Sequence, residues 1–401
     1  MTHLIFALTL GTTLLTLAHY YLWRRLVHDP QLPSRTKAVL SVLLALLAVS
    51  QPVAFIVGRS LPRETALGFA FLAFGWMGML STLFVLLSGV DLTLFFARGV
   101  RWISARARSS SRPEPVEQTA KSPEKRAFLQ RAIASGVAVG AGSWGAVAVN
   151  QALAAPSLKR VEVSLARLPA AFDGFTIVQM SDIHVGPTIG RAFIESIVEA
   201  ANAQSPDLIA LTGDLVDGSV AHLSRHTAPL AQLKAKHGVW FVTGNHEYYS
   251  GADEWISELQ RLAIFTLRNA STRISRQGQS LLVAGVTDHR AGSYGDPPDF
   301  ARALRDRKPD EEVVLLAHQP RAVAQAQKHD VGLQLSGHTH GGQFWPWNWV
   351  IHLIEPVVAG LARFGRTQIY VNSGTGYWGP PMRSGTRSEI TVVTLRAEQA
   401  A

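Results

Sequence analysis

Residues 175–184 read FTIVQMSDIH, a short apolar run that ends in an aspartate and a histidine. The run from Phe175 to Met180 has the length and the apolar character of a buried β-strand. Asp182 and His184 follow it directly, so two side chains with metal-binding atoms stand just beyond the predicted strand. Polar residues at the carboxyl end of a strand indicate a ligand site at the edge of a sheet.

The same alternation of short apolar runs and amphipathic stretches continues towards the C-terminus, which predicts an α/β domain with helices packed on sheets. The predicted strands are Phe175–Met180, Leu208–Thr212, Val239–Thr243, Ser280–Val286, Val313–Leu316, Leu333–Leu335, Gln368–Val371 and Ile390–Leu395. The predicted helices are Arg191–Ala203, His222–Lys236 and Asp253–Leu262.

Side chains with metal-binding atoms follow five of these strands. The candidate ligands are Asp182, His184, Asp214, Asn245, His318, His338 and His340. They supply four imidazoles, two carboxylates and one amide oxygen, which is too many for one ion but suits two. Two cations about 3.5–4 Å apart can share a hydroxide and hold the attacking and leaving oxygens of a phosphoryl displacement.

Five ordered motifs resemble those of the calcineurin-like metallophosphoesterase family. They are Asp182-Ile183-His184, Gly213-Asp214-Leu215-Val216-Asp217, Gly244-Asn245-His246-Glu247, Ala317-His318 and Gly337-His338-Thr339-His340. The run from Gly337 to Gln343 is similar to the membrane-attached bacterial branch of that family. The resemblance implies two packed mixed β-sheets flanked by helices, over about Val161 to Leu395.

The resemblance also implies a role for each motif residue. It places Asp182, His184 and His340 on a first metal, Asn245, His318 and His338 on a second, and Asp214 between them. His246 would stabilise or protonate the leaving group, and Asp217 would hydrogen-bond His246. Members of the family use two divalent ions such as Mn, Fe or Zn, and the sequence does not choose among these.

Composition narrows the classes of protein further. The 401 residues carry a net charge of +9 and no cysteine, which excludes disulfides, thiolate zinc sites and cysteine nucleophiles. The mean hydropathy of +0.13 is high for a soluble enzyme. Because many Lys and Arg flank apolar runs, the positive charge favours a lipid bilayer as partner, and no nucleic acid is expected.

Apolar runs predict membrane spans in the N-terminal third. Leu4–Trp23, Ala38–Val57 and Ala66–Val90 give three transmembrane helices within residues 1–95. Residues 96–131 form a predicted basic cytoplasmic linker, with a flexible stretch from Ser109 to Ser122. Residues 132–156 are either a fourth span or an export-signal-like segment, and residues 157–401 form the catalytic domain.

Charge predicts the orientation of these spans. Basic residues concentrate in residues 24–37 and 98–131, which the positive-inside rule places in the cytoplasm. Four spans would put the catalytic domain on the outer side of a bacterial-type inner membrane, whereas three would keep it inside. The twin-arginine-like Lys125–Gln130 and the small-residue segment Ala152–Ala154 favour export.

These features predict a membrane-anchored enzyme that hydrolyses a phosphate ester or a pyrophosphate bond, with a lipid-linked substrate. The aromatic segment Phe344–Trp349 either covers a sheet edge or dips into the lipid headgroups.

One alternative function is that of a UDP-2,3-diacylglucosamine pyrophosphatase of lipid A synthesis, which would need a cytoplasmic site. Another is a non-catalytic membrane sensor, which would not need both His246 and Asp217. Asp288 follows a predicted strand and could face the cleft, but it stays outside the predicted catalytic set.

Overall fold

A computed structural model describes residues 2–108 and 123–398. The predicted flexible stretch Ser109–Ser122 lies outside the described residues. The chain divides into two compact units. One contains Met1–Val53 and Leu72–Val147, and the other contains Ala54–Phe71 and Ala148–Ala401.

Four long helices cover the N-terminal part of the chain: α1 Thr2–Trp23, α2 Ser34–Ser60, α3 Arg63–Arg108 and α4 Pro123–Leu153. Among the described residues, α2, α3 and α4 are long and apolar enough to cross a bilayer. Helices α2 and α3 contain the second and third predicted spans, α1 covers the first, and α4 covers the predicted segment 132–156 as far as Leu153. The predicted linker is helical at both of its described ends, because α3 continues to Arg108 and α4 begins at Pro123.

Polar contacts hold the basic ends of these helices together within the first unit. Asp91 accepts a hydrogen bond from the Tyr21 hydroxyl at 2.7 Å and pairs with the Arg25 guanidinium at 2.8 Å. Near the start of α4, Arg131 donates to the backbone oxygen of Pro30 at 2.8 Å. The basic segments that follow α1 and begin α4 therefore lie at the same end of this helical unit, and Arg98 of α3 lines a cleft together with Arg24 and Arg126 there.

Two six-stranded sheets form the described core of the second unit. The strands are β1 Ser157–Leu165, β2 Thr176–Met180, β3 Leu208–Leu211, β4 Val239–Phe241, β5 Ile264–Thr266, β6 Ala270–Arg276, β7 Gln279–Gly285, β8 Val313–Leu316, β9 Leu333–Ser336, β10 Gly360–Phe364, β11 Thr367–Val371 and β12 Glu389–Ala397. The first sheet has the order β1-β12-β2-β3-β4-β5, and the second has the order β10-β11-β9-β8-β7-β6. Strands β2 to β5 are parallel, as are β7, β8, β9 and β11.

Alternating side chains of each strand supply the two faces of the sheets. Ile177 and Leu208 of the first sheet pack with Val314 and Leu333 of the second, which makes the core between the sheets. On the outer face of the first sheet, Val178 and its neighbours pack against helices. The helices of this unit are α5 Arg191–Asn202, α6 Val220–Thr227, α7 Asn245–Ser250, α8 Ala252–Arg261, α9 Phe300–Ala303, α10 Val323–Lys328 and α11 Trp347–Val350.

The predicted class, two mixed sheets flanked by helices, is confirmed. The sequence pattern did not predict β1, β5, β6, β10, α7, α9, α10 or α11. It extended one helix too far: α6 ends at Thr227 and is followed by a 3₁₀ turn, Ala228–Gln232. Pro229 explains the early end, because its ring fixes φ and its nitrogen cannot donate a helical hydrogen bond.

Candidate metal centre

The seven predicted ligands come from loops that follow five strands. Asp182 and His184 follow β2, Asp214 follows β3, and Asn245 is the first residue of α7 after β4. His318 follows β8, and His338 and His340 follow β9, so both sheets contribute. The carboxyl ends of parallel strands meet at one edge of a sheet, which is why residues far apart in sequence converge here.

A first group of ligand atoms lies around His184. The Nε2 atoms of His184 and His340 are 3.1 Å apart, and His340 Nε2 lies 3.5 Å from Asp182 Oδ1. One ligand atom from each of these three residues lies within 4.8 Å of the others. All three side chains are buried. This is the triad that the sequence assigns to the first metal.

A second group lies around His318, and Asp214 connects the two groups. His318 Nε2 is 3.1 Å from Asp214 Oδ2 and 3.2 Å from His338 Nδ1. The same Asp214 Oδ2 lies 3.9 Å from His184 Nε2 of the first group. Asp214 therefore stands between the two groups, at the position that a bridging carboxylate requires.

The chemistry of these side chains fits divalent cations. Burial, and to a lesser extent the nearby His318, lowers the pKa of His338 to about 3. Burial, and to a lesser extent the nearby His184, holds the pKa of His340 well below its usual range. Both imidazoles are therefore neutral, which is the form that binds a metal. The Oδ1 atom of Asn245 is buried and has no hydrogen-bond partner within the described residues, so it is available as a ligand.

The backbone bends sharply at the ligands. Five of them have φ in the left-handed region: Asp182 at 52°, His184 at 54°, Asp214 at 52°, His338 at 73° and His340 at 51°. Such φ values cost non-glycine residues on the order of 1–3 kcal/mol each and are concentrated at functional sites. Strain at five candidate ligands indicates a functional site.

Comparison with known proteins decides the family. The family model for calcineurin-like phosphoesterase matches residues 175–342. A Danio rerio protein named transmembrane protein with metallophosphoesterase domain is 33% identical over 96% of this chain and 87% of its own length. The chain belongs to the calcineurin-like metallophosphoesterases. It is therefore a hydrolase of phosphoester bonds.

Two further relatives of this metallophosphoesterase share its catalytic part. A Bos taurus protein with the same name as the Danio rerio relative is 41% identical over 60% of this chain and 57% of its own length. A Helicobacter pylori protein named uncharacterized metallophosphoesterase is 36% identical over 61% of this chain and 65% of its own length. These shared regions are about as long as the second unit of the chain.

Asp217 of the metallophosphoesterase binds two histidines. Its Oδ1 lies 2.5 Å from His246 Nδ1, as the sequence analysis expects, and its Oδ2 lies 3.2 Å from His184 Nδ1, which the sequence analysis did not anticipate. Both rings consequently turn Nε2 towards Asp214 Oδ2, at 3.9 Å each. The His184, Asp217 and His246 group is thus a hydrogen-bonded support for the centre, because its Nδ1 atoms are occupied by the carboxylate.

Glu247 connects the two loops that carry Asp214 and Asn245. Its carboxylate accepts hydrogen bonds from the backbone nitrogens of Gly244 at 2.6 Å, Asp214 at 3.0 Å and Leu215 at 2.7 Å. The side chain is fully buried. Glu247 therefore fixes the geometry of both loops. Its carboxylate oxygens are already hydrogen-bonded to backbone nitrogens.

Arg383 is a site residue that the sequence analysis missed. It is fully buried, and burial lowers its pKa to about 10. Its guanidinium donates to the backbone oxygens of Ser373 at 2.8 Å, Gly376 at 2.6 Å and His340 at 3.3 Å. It thereby attaches the loop of His340 to residues 373–376. An arginine in a loop rich in glycine and proline carries no sequence signal for such a role.

Two exposed aromatic residues flank His246. The ring of Tyr249 lies 5.3 Å from that of His246, and the ring of Trp378 lies 5.4 Å from it. Both side chains are about two-fifths exposed. The amide of Gln343 pairs with the backbone of Trp378 in both directions, which joins this rim to the aromatic segment after His340.

Proposed function

We propose that this metallophosphoesterase hydrolyses a phosphate ester or a pyrophosphate bond of a lipid-linked substrate, at a centre of two divalent cations. When bound, the cations would polarise the phosphoryl group and supply the hydroxide nucleophile. Asp182, His184 and His340 would hold one, Asn245, His318 and His338 the other, and Asp214 both. The position of Asp214 Oδ2 between the two histidine groups is the observation that carries this proposal.

His246 has the geometry of a proton donor to the leaving group. Burial alone would lower its pKa, but the adjacent carboxylates of Asp214 and Asp217 raise it to about 9. Asp217 occupies Nδ1, so Nε2 is the atom that points into the site with a proton. General acid catalysis of this kind contributes about 10²–10⁴-fold in rate.

The variant His246→Asn should therefore lose about 10²–10⁴-fold in kcat while the bound metal content stays unchanged. The loss should be larger on an alkyl phosphate than on para-nitrophenyl phosphate, because para-nitrophenolate leaves readily without a proton. Steady-state kinetics on both substrates, with metal analysis of each preparation, makes the comparison. Equal losses on the two substrates would contradict a proton-donating role.

The segment 347–354 supports a substrate at the lipid surface. The aromatic cluster divides in the structure: Phe344 is buried, whereas Trp349 is 70% exposed. Leu353 is 87% exposed and Ile354 is 60% exposed, so this segment concentrates apolar surface. In a chain with apolar spans, such a segment is suited to inserting shallowly among lipid headgroups.

Replacing Trp349, Leu353 and Ile354 together with serine should reduce hydrolysis of a phosphate carried on a lipid in vesicles by about tenfold or more. Hydrolysis of para-nitrophenyl phosphate should change less than about twofold, because none of these side chains reaches the ligands. Leu361→Ser is a matched control, since Leu361 is an exposed apolar residue on β10. Equal losses on both substrates would count against contact with lipid.

The turn between α2 and α3 supports an active site on the outer side of the membrane. Arg63 donates to the backbone oxygen of Thr188 at 3.3 Å, and Glu64 pairs with Arg225. These contacts are within the second unit, so this turn and the catalytic domain are on the same side. The basic segments lie at the opposite ends of α2 and α3, which the positive-inside rule assigns to the cytoplasm.

A reporter enzyme that is active only after export should consequently work when fused behind Ala401 and fail when fused behind Arg108. Each fusion serves as the control for the other, because α4 is the one long apolar helix of the described residues that lies between the two fusion points. Failure of both fusions, or the reverse pattern, would place the active site in the cytoplasm. It would then favour the alternative substrate, UDP-2,3-diacylglucosamine.

A further inference from the structure

Two aromatic side chains flank His246, the residue that faces the leaving group in the proposed function. The ring centroids of Tyr249 and Trp378 lie 5.3 Å and 5.4 Å from that of His246, and both rings are steeply inclined to it, at 64° and 72°. Tyr249 is 43% exposed and Trp378 is 41% exposed, so each keeps surface that a ligand can reach. Sites for small organic groups are lined mainly by apolar and aromatic side chains with a few polar groups among them. The pair therefore has the composition of a subsite next to the proton donor.

Both rings are carried by segments that also hold candidate metal ligands. Tyr249 lies on α7, and the first residue of this helix is Asn245 of the second ligand group. Trp378 follows a loop in which the backbone nitrogen of Gly376 donates to the backbone oxygen of Asp182, a member of the first group, at 3.0 Å. One ring is thus fixed relative to each group of ligands.

Gln343 holds the backbone of Trp378 in place. Its Nε2 donates to the backbone oxygens of Trp378 at 2.9 Å and Pro380 at 3.0 Å, and its Oε1 accepts from the Trp378 backbone nitrogen at 3.0 Å. Gln343 is buried and has a φ of 55°, in the left-handed region, where strain is concentrated at functional sites. A ring on a backbone fixed in this way can orient a ligand with little loss of conformational entropy.

A leaving group at the metal centre comes within reach of both rings. An oxygen that takes a proton from His246 must lie about 2.6–3.2 Å from its Nε2 atom. The atoms bonded to that oxygen then lie beside the His246 ring, where Tyr249 and Trp378 are exposed. Stacking of a flat ring on an aromatic side chain strengthens binding by about fivefold to a hundredfold, whereas an open chain presents no flat face.

We propose that Tyr249 and Trp378 bind the leaving group of the substrate and select leaving groups that contain a ring with a flat apolar face. The inference rests on the proposed function, because it places the reacting phosphate at the metal centre and the proton on His246. Such a ring is either aromatic or a saturated six-membered ring such as a sugar, and it packs on the two side chains by dispersion. A lipid whose phosphate is attached to a ring of its head group has this chemistry.

Binding of three phosphonates with the same number of carbons tests the proposal. The probes are benzylphosphonate, cyclohexylmethylphosphonate and n-heptylphosphonate, titrated calorimetrically into full-length protein loaded with Mn in lipid nanodiscs, with protein-free nanodiscs as the blank. All three carry the same charged group and resist hydrolysis, so a difference in affinity reports on the subsite. At least one ring compound should bind about fivefold or more tightly than the heptyl compound. The two ring compounds show whether the subsite takes an aromatic or a saturated ring.

A double variant, Tyr249→Leu with Trp378→Leu, should abolish this preference and keep its metal, because leucine is apolar but has no flat face. The double variant Tyr249→Phe with Trp378→Phe should retain the preference, since both rings remain. Phe265→Leu is the matched control. Phe265 is an exposed aromatic residue whose ring pairs with that of Trp240, and its replacement should leave the preference unchanged.

Equal binding of the three phosphonates, no binding of any of them, or a preference that survives in the double leucine variant would overturn the proposal. Turnover of para-nitrophenyl phosphate is measured in parallel and answers a separate question. Ring-selective binding without hydrolysis under any divalent metal would contradict the proposed function and leave the subsite standing. Hydrolysis together with equal binding of the three phosphonates would do the opposite.

Discussion

Replacing Asp214 with asparagine is expected to lower kcat/KM on para-nitrophenyl phosphate by about a thousandfold or more. The carboxylate lies between both sets of candidate ligands, with its Oδ2 3.1 Å from His318 and 3.9 Å from His184. An amide carries no charge and cannot share its oxygen between two cations as effectively. Metal content, measured on the same preparations, should fall below that of the native protein.

The control for this variant is Asp299→Asn, which makes the same chemical change at an exposed carboxylate. It should retain native metal content and near-native turnover of para-nitrophenyl phosphate. If Asp214→Asn kept both its metal and its turnover, the bridging role would be wrong. If both variants lost activity equally, the loss would reflect general damage to the fold.

Gly337→Ala should disrupt the centre nearly as severely, although it adds only a methyl group. A Cβ at this position would lie 1.9 Å from Ser181 Oγ and 2.1 Å from Asp182 Oδ2. Atoms at these distances overlap, so the loop of His338 or the Asp182 carboxylate must move. We expect metal affinity to fall by about a hundredfold or more, since small displacements of a ligand shell have effects of that size. Equilibrium dialysis against Mn measures the affinity.

A glycine in open space provides the comparison for this variant. A Cβ at Gly292 would meet its nearest neighbour, Pro297, at 3.8 Å, so Gly292→Ala should bind metal as the native protein does. Adding Ser181→Ala to Gly337→Ala should recover the affinity only in part, because the contact with Asp182 remains. Native metal affinity in the single variant Gly337→Ala would show that the loops yield easily and that their close approach does not matter.

The candidate ligand set could be identified from the sequence because each motif in it is a local stretch of residues. Short apolar runs end in Asp182, Asp214, Asn245, His318 and His338, and the carboxyl ends of strands are where such residues converge. The structure brings these residues together, and the two-sheet architecture agrees with the predicted class. The bond of Glu247 to the backbone of Gly244 is local, whereas its bonds to Asp214 and Leu215 join two separate loops and depend on the fold.

Features that depend on contacts between distant parts of the chain could not be predicted from the local sequence. Arg383 reads as an ordinary loop arginine, and its burial follows only from the packing of residues 373–376 against the loop of His340. Strands β1 and β10 are partly exposed and carry charged residues, so their apolar periodicity is weak. In the aromatic segment Phe344 is buried and Trp349 is exposed, and the amino-acid composition alone does not predict which of the two is buried.

The location of bound metal in crystals of the full-length protein tests the central claim most directly. Data collected at the absorption edge of Mn should show two anomalous peaks. One should contact Asp182, His184 and His340, the other Asn245, His318 and His338, with Asp214 touching both. A single peak, or two peaks that do not share Asp214, would contradict the two-metal centre.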